Sequence, residues 1–255
     1  MKILLISGHG ASDSGAVGNG YKEADLTREL VNLIAPELKR YATVDIYPQT
    51  QNAYKDYKNG KFNVGKYDYA LEIHFNAYNG KAHGSEIYVT TKETGISVEQ
   101  AIMKNMKQYF TLRDNDSVFD GVKRENFAVI NSLKSKGISG ALLEVCFIDS
   151  ANDMKVYQQY KKDIAKDIVL GIASGFGLKE VKPKAPAKKT VKVGSTVKVS
   201  NDALIGGLAL NRGNRASSYI KSRTWKVNKI QTNKGVQEAL LSCNTWIAIK
   251  YLTVV

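Results

Sequence analysis

Lys2-Ile3-Leu4-Leu5-Ile6-Ser7, followed at once by Gly8-His9-Gly10, is the stretch whose reading decides the fold. An apolar run without polar alternation is the pattern of a strand buried on both faces, as in the centre of a parallel sheet. The run also stops short of the roughly 7–15 apolar residues of a secretory signal core, so it is read as a strand and not as an export signal. Gly8, Gly10, Gly15, Gly18 and Gly20 then make a loop. Beyond it a helix opens near Glu23, with Leu26, Leu30, Leu33, Ile34 and Leu38 on one face at helical spacing. Pro36 is expected to kink that helix or end it early.

Working outward, Thr43–Tyr47, Tyr67–Phe75, Ser85–Thr90 and Ala141–Phe147 read as further strands, and Gln51–Lys66 as loop with a short helix. Ser97–Arg113 reads as a helix through Ile102, Met106 and Phe110, and Tyr157–Leu178 as a closing helix. Strands alternating with helices predict an α/β fold, a mostly parallel twisted sheet flanked by helices. Ligand sites in such sheets lie beyond the C-terminal strand ends. His9 lies just past the first strand, His74 at the end of the third and Glu144 near the end of the last, which points to one shared site.

The pattern changes after residue 178. Lys179–Lys192, KEVKPKAPAKKTVK, reads as a semi-rigid extended linker over 179–193. Residues 194–255 carry β-branched and aromatic residues with turns between them, the pattern of a small all-β, barrel-like domain. Charge divides the same way: residues 181–255 hold 14 Lys/Arg against Asp202 and Glu238, whereas residues 1–180 hold 23 against 22. A nearly neutral first part suits catalysis, and a strongly basic second part suits an anionic polymer. A nucleic-acid binder should show a reader helix or an exposed aromatic platform in the basic part, and neither is clear. No apolar run reaches the roughly 18 residues of a membrane helix. Cys146 and Cys243 are too few and too far apart for a disulfide framework, and each is read as a small buried apolar side chain.

Only three histidines exist, His9, His74 and His83. His9, Glu23 and His74 come from separate elements, and two imidazoles with a carboxylate suit a three-ligand zinc site that leaves a position open for water. Spacing alone leaves scattered polar residues as the commoner explanation. Glu144 stands inside Ala141-Leu142-Leu143-Glu144-Val145-Cys146-Phe147, where burying a carboxylate is costly unless function requires it. Glu72, two positions before His74, shares its strand face and either orients the site or forms a salt bridge. His83 either lines the groove or is an ordinary loop histidine.

Three motifs carry a resemblance. Gly8-His9-Gly10 with Asp13-Ser14-Gly15-Ala16 and Gly18-Asn19-Gly20-Tyr21-Lys22-Glu23, then Ile73-His74-Phe75-Asn76-Ala77, then Leu142-Leu143-Glu144-Val145-Cys146-Phe147-Ile148, together resemble the zinc-dependent N-acetylmuramoyl-L-alanine amidases of autolysins and phage endolysins. The resemblance implies one zinc held by His9, Glu23 and His74, and Glu144 as the catalytic glutamate. It implies cleavage of the peptidoglycan amide between the muramic acid lactyl group and L-alanine. His83 and Asn76 are candidate substrate contacts apart from that resemblance. Ala11-Ser12, Cys146 and Ser150 depart from the residues common in that family. Val193–Val199, Asn244–Ile247 and Tyr251-Leu252 resemble strands of bacterial Src-homology-3-like wall-binding domains. There Tyr219, Trp225, Trp246 and Tyr251 would stack on sugars or fill the core, with the core favoured for the two tryptophans. Anionic teichoic acid or peptidoglycan carboxylates would account for the basic excess of this part. The layout is that of a phage endolysin made in the host cytoplasm without a signal peptide, which reaches the wall after membrane permeabilisation. A host autolysin and a non-catalytic wall-binding protein are the alternatives.

Overall fold

A computed structural model describes residues 1–113, 120–181, 190–207, 213–233 and 235–255. The chain forms two compact units, Met1–Lys182 and Pro183–Val255.

In the first unit the elements are β1 (Lys2–Ser7), a small hairpin β2 (Val17–Gly18) and β3 (Tyr21–Lys22), α1 (Glu23–Leu38), β4 (Thr43–Ile46), α2 (Ala53–Lys58), β5 (Tyr69–Asn76), β6 (Glu86–Val89), α3 (Ser97–Met106), β7 (Val122–Arg124), α4 (Ala128–Ser135), β8 (Ser139–Phe147) and α5 (Ala151–Gly175). Six strands form one sheet in the order β4-β1-β5-β8-β6-β7. β4, β1, β5 and β8 run parallel, while β6 lies antiparallel to β8 and parallel to β7.

The period-two side-chain alternation of strands explains why β1 is apolar throughout. Ile3 and Leu5 enter the core beneath α1, α3 and α5, whereas Leu4 and Ile6 enter a second core with Ala53, Ala70, Val129 and Leu133. α1 continues to Leu38 with Pro36 in its last turn, so the expected early stop does not occur. α3 ends at Met106, before the expected Arg113, and β7 and α4 were not expected. α5 starts six residues earlier than expected, because the Ser150 side chain accepts the Asp153 N–H as an N-cap.

α5 meets α3 through two glycines one turn apart. A Cβ on Gly171 would lie 2.6 Å from the Ile102 Cα, and one on Gly175 would lie 2.5 Å from the Val98 Cα. The two backbones therefore pack without an intervening side chain at these points.

In the second unit β9 (Thr196–Val199), β10 (Thr224–Asn233), β11 (Val236–Leu241), β12 (Trp246–Ala248) and β13 (Leu252–Val254) build an antiparallel sheet in the order β12-β11-β10-β9-β13, with the short helix α6 (Ser218–Lys221) between β9 and β10 in the chain. Its core holds Val197, Val199, Val227, Ala239, Leu241 and Ile247. Cys146 is buried in the first unit, and Cys243 is half-buried in the second. Of the expected linker, residues 182–189 lie outside the described residues. Of its described ends, the Val181 N–H bonds the Arg40 carbonyl, and Val191 is buried in the second unit's core. Among the described residues no helix is long and apolar enough to cross a membrane.

Gly171→Ala tests the α3–α5 contact. Alanine gains about 1 kcal/mol of helix propensity, but overpacking typically costs about 1–3 kcal/mol, and here the opposing atoms are backbone. A net loss of stability is expected, read as a lower urea midpoint; a higher midpoint would mean that the helices can separate.

Candidate metal centre and catalytic cleft

The site begins where β1 ends. Gly8 donates its N–H to the Ile73 carbonyl at 2.9 Å, after which the chain reverses tightly. His9, Ala11 and Ser12 have φ of 61°, 47° and 69°, left-handed values that non-glycine residues rarely adopt. Such strain persists only where surroundings enforce it. The enforcement comes from α1: Arg28 donates to the Gly8 carbonyl at 3.1 Å and the His9 carbonyl at 3.0 Å, and Thr27 Oγ1 donates to the Gly8 carbonyl at 2.9 Å.

Glu23, the first residue of α1, is only 3% exposed. Its Oε2 accepts the Ala16 N–H at 2.9 Å and its Oε1 the Phe75 N–H at 3.0 Å. His9 Nε2 lies 3.0 Å from Oε2, and His74 Nδ1 lies 2.9 Å from Oε1. The outer nitrogen of each imidazole faces another carboxylate, His9 Nδ1 on Asp13 at 3.1 Å and His74 Nε2 on Glu72 at 3.3 Å. Asp13 is held in turn by the Gly15 N–H and by the Asn52 amide, each at 3.0 Å.

Charge follows from this packing. Burial pushes the Glu23 carboxyl up, but bonds to His74 and His9 outweigh it and hold the group well below the usual carboxylate range. Burial opposes charge on both imidazoles, yet Glu23 raises His9, and Glu23 with Glu72 raises His74 well above the ordinary histidine value.

The donor set fits a metal ion. One ligand atom each from His9, Glu23 and His74 lie within 4.8 Å of one another. Two imidazole nitrogens with one carboxylate oxygen suit a borderline divalent cation with an open position, and a carboxylate on the outer nitrogen of each imidazole is the usual second support. Two glycines keep the space clear. A Cβ on Gly8 would lie 2.4 Å from the His74 Cε1, and one on Gly15 would lie 2.6 Å from the Glu23 Oε2.

Glu144 on β8 is the register partner of His74. The register then slips, so that Asn76 pairs with Phe147. This bulge lets Val145, Cys146 and Phe147 all be buried while Glu144 stays on the face of His74 and Glu72. Glu144 is partly exposed as a residue, but its Oε2 is shielded and has no hydrogen-bond partner. Burial pushes this carboxyl up to about 7, with His74 opposing and Glu23, Glu86 and Glu72 reinforcing the shift. A carboxyl poised near neutrality can both accept and return a proton.

A cavity of about 310 Å³ opens over the set. His9, Asp13, Asn52, Glu72, His74 and Glu144 form its polar side, and Tyr54, Phe127, Val129 and Leu142 its apolar side. His83 and Asn76 do not line it. His83 is exposed with Nδ1 3.3 Å from the Lys81 carbonyl, and Asn76 donates to Glu86 at 2.6 Å. Asp13 carried a signal the sequence reading passed over, a carboxylate four residues after His9. Asn52, Tyr54 and Phe127 carried none, since only the unexpected placement of α2 and α4 brings them to the cleft.

A family model described as N-acetylmuramoyl-L-alanine amidase matches residues 3–174. The chain belongs to this family. Peptidoglycan amidase activity follows from that membership. The amidase is 26% identical over 277 aligned positions to the endolysin of Bacillus phage SPP1, covering 99% of this chain and 97% of that one. It is 30% identical over 225 residues to the Staphylococcus aureus protein named "Probable autolysin PH", covering 78% of this chain but only 45% of that protein. The catalytic domain of the CD27L endolysin targeting Clostridia Difficile superposes with a TM-score of 0.56 at 26% identity, over 68% of this chain and 97% of that domain.

In the amidase's second unit, Tyr219 is 53% exposed with the Arg223 guanidinium 4.4 Å over its ring. Trp225 donates its Nε1–H to the Ile220 carbonyl at 2.8 Å and packs on the core, as Tyr251 does. Trp246 is half-buried on β12, against Gly207.

Gly15→Ala should push Glu23 and His9 apart without disturbing the sheet. Metal retention against a competing chelator is expected to weaken by about 10–100-fold, the range for lost outer-shell support, with an unchanged far-UV spectrum. Unaltered retention would show that the three ligands do not act as one rigid set.

Proposed function

We propose that this chain is a zinc-dependent N-acetylmuramoyl-L-alanine amidase of the phage endolysin type, which hydrolyses the amide between the muramic acid lactyl group and L-alanine. The observation that carries the reading is a His9–Glu23–His74 cluster with a partnerless Glu144 oxygen beside it. His9 Nε2, His74 Nδ1 and Glu23 would hold the zinc, while Asp13 and Glu72 fix the imidazoles from outside. When bound, the ion would supply polarisation of the scissile carbonyl and acidification of a water toward a pKa of about 7. Glu144 takes the proton from water as its oxygen joins the lactyl carbonyl carbon. As the carbon–nitrogen bond breaks, Glu144 returns a proton to the leaving amine of L-alanine.

The likeness to the SPP1 endolysin over nearly the whole of both chains favours the phage layout over a host autolysin. The second unit is proposed as a barrel-like, Src-homology-3-like anchor for anionic wall polymer. Its antiparallel sheet and the nine Lys/Arg against two acids in residues 194–255 support this. Tyr219, the exposed ring of the four aromatic candidates, is the best placed to touch the wall. Trp225, Trp246 and Tyr251 are half-buried.

Digested walls should gain free L-alanine amines and no new reducing sugar ends; new reducing ends would mark a glycosidase instead. Glu144→Gln should keep its zinc and lose about 10²–10⁴-fold in kcat, while His74→Ala should lose the metal. Activity of Glu144→Gln within about tenfold of the parent would remove Glu144 as the base. A fragment starting at residue 190, which keeps Val191 in its core, should bind walls by itself. That binding should weaken as salt rises, because exposed charges are screened beyond about 8 Å at 0.15 M, and weaken again on walls stripped of teichoic acid. Binding indifferent to both treatments would assign recognition to neutral sugar or peptide contacts.

A further inference from the structure

The sheet face that carries the catalytic set continues past Glu144 to the edge of the sheet. Glu86 on β6 is the register partner of Glu144, and Lys123 on β7 is the partner of Tyr88. Residues two apart on a strand share a face, so Glu144, Glu86, Tyr88 and Lys123 form one continuous row. The cavity leads into this row. Phe127, on the cavity wall, meets the Tyr88 ring edge-on at 5.0 Å, and Lys123 Nζ lies 5.8 Å from the same ring.

The end of the row has a charge pattern that the amidase chemistry does not use. Glu86 is 2% exposed and accepts from Lys123 Nζ and from the Asn76 amide. Arg113 Nε stands 3.6 Å from the same carboxylate, is shielded from solvent and has no hydrogen-bond partner. Its guanidinium lies 4.7 Å over the Phe147 ring. Two cations thus face one buried carboxylate, and their side chains are 32% and 37% exposed, within reach of a ligand. Glu72, Glu86 and Glu144 on the same face would repel an acidic substrate. At that end Lys123 and Arg113 outnumber the one carboxylate they face, Glu86.

We propose that Lys123 and Arg113 form a carboxylate subsite at the β7 end of the cleft, which takes an acidic group of the peptide that follows the scissile amide. This rests on the amidase reading above. Reach fits the assignment. β7 lies two strand spacings from β8, about 10 Å, which is about three residues of extended peptide at roughly 3.3 Å each. The subsite therefore reads the second or third residue of the stem peptide. The muramic acid would lie toward Tyr54, away from Phe127 and Tyr88.

The test uses the full-length protein and two N-acetylmuramoyl tripeptides, identical except that the second and third residues carry free carboxylates in one and carboxamides in the other. The parent enzyme is expected to prefer the carboxylate form by about tenfold in kcat/KM, equivalent to about 1.4 kcal/mol. Arg113→Gln should cut that ratio to about threefold or less. So should the Lys123→Gln/Glu86→Gln double variant, which removes the ion pair without stranding a buried carboxylate. Added salt should compress the parent's ratio in the same direction. A ratio near one in the parent overturns the subsite. So does a ratio preserved in both variants while both rates fall, since the two cations would then serve only to brace Glu86. Cleavage of neither peptide by the parent would refute the amidase reading itself.

Discussion

Everything at this site hangs on the carboxylate of Glu23. It accepts backbone N–H groups from Ala16 and Phe75 and meets a nitrogen of His9 and of His74. The loop after β1, the start of α1 and the end of β5 are thus joined through one buried group. A lone carboxylate so enclosed would be costly to ionise. Here its partners reverse the balance, and it stays charged. That fixed negative charge in turn raises both imidazoles and helps to lift the neighbouring Glu144 toward neutrality, where it can take a proton and return it. Two carboxyls a short distance apart acquire different proton affinities because the imidazoles hold one charged and burial lifts the other.

The sequence was informative where local chemistry and position coincide. The unbroken apolar run of β1, the glycines after it and the histidine at its end required no tertiary knowledge. Glu144 was conspicuous because a carboxylate interrupts seven residues that otherwise belong to a buried strand. The helix of Leu26, Leu30, Ile34 and Leu38 followed from its period, and the change in charge at residue 181 separated a basic tail part from a neutral one.

What was hidden depends on packing between distant segments. α4 carries the apolar side of the cleft, but Ala128–Ser135 has a pattern too short to stand out. β7 has three residues and exists only because β6 offers it an edge. The bulge after Glu144 has no signature in the residues themselves. That the Asn76 amide spans to Glu86 was likewise not to be seen in the sequence. The close approach of α3 to α5 was equally invisible, since Gly171 and Gly175 look like poor helix formers until their neighbours are known.

The bulge has a last consequence, for thiol chemistry. By turning Cys146 into the core it leaves that sulfur fully buried, and burial with Asp153 and Glu144 nearby holds its pKa well above the ordinary thiol value. A protonated, enclosed thiol is a poor nucleophile toward oxidants and alkylating reagents. Cys243 is half-buried in the other unit, packed against its core. The native chain therefore offers the two thiols to reagents very unequally. An alkylating reagent that meets the folded chain would leave the catalytic unit unmarked.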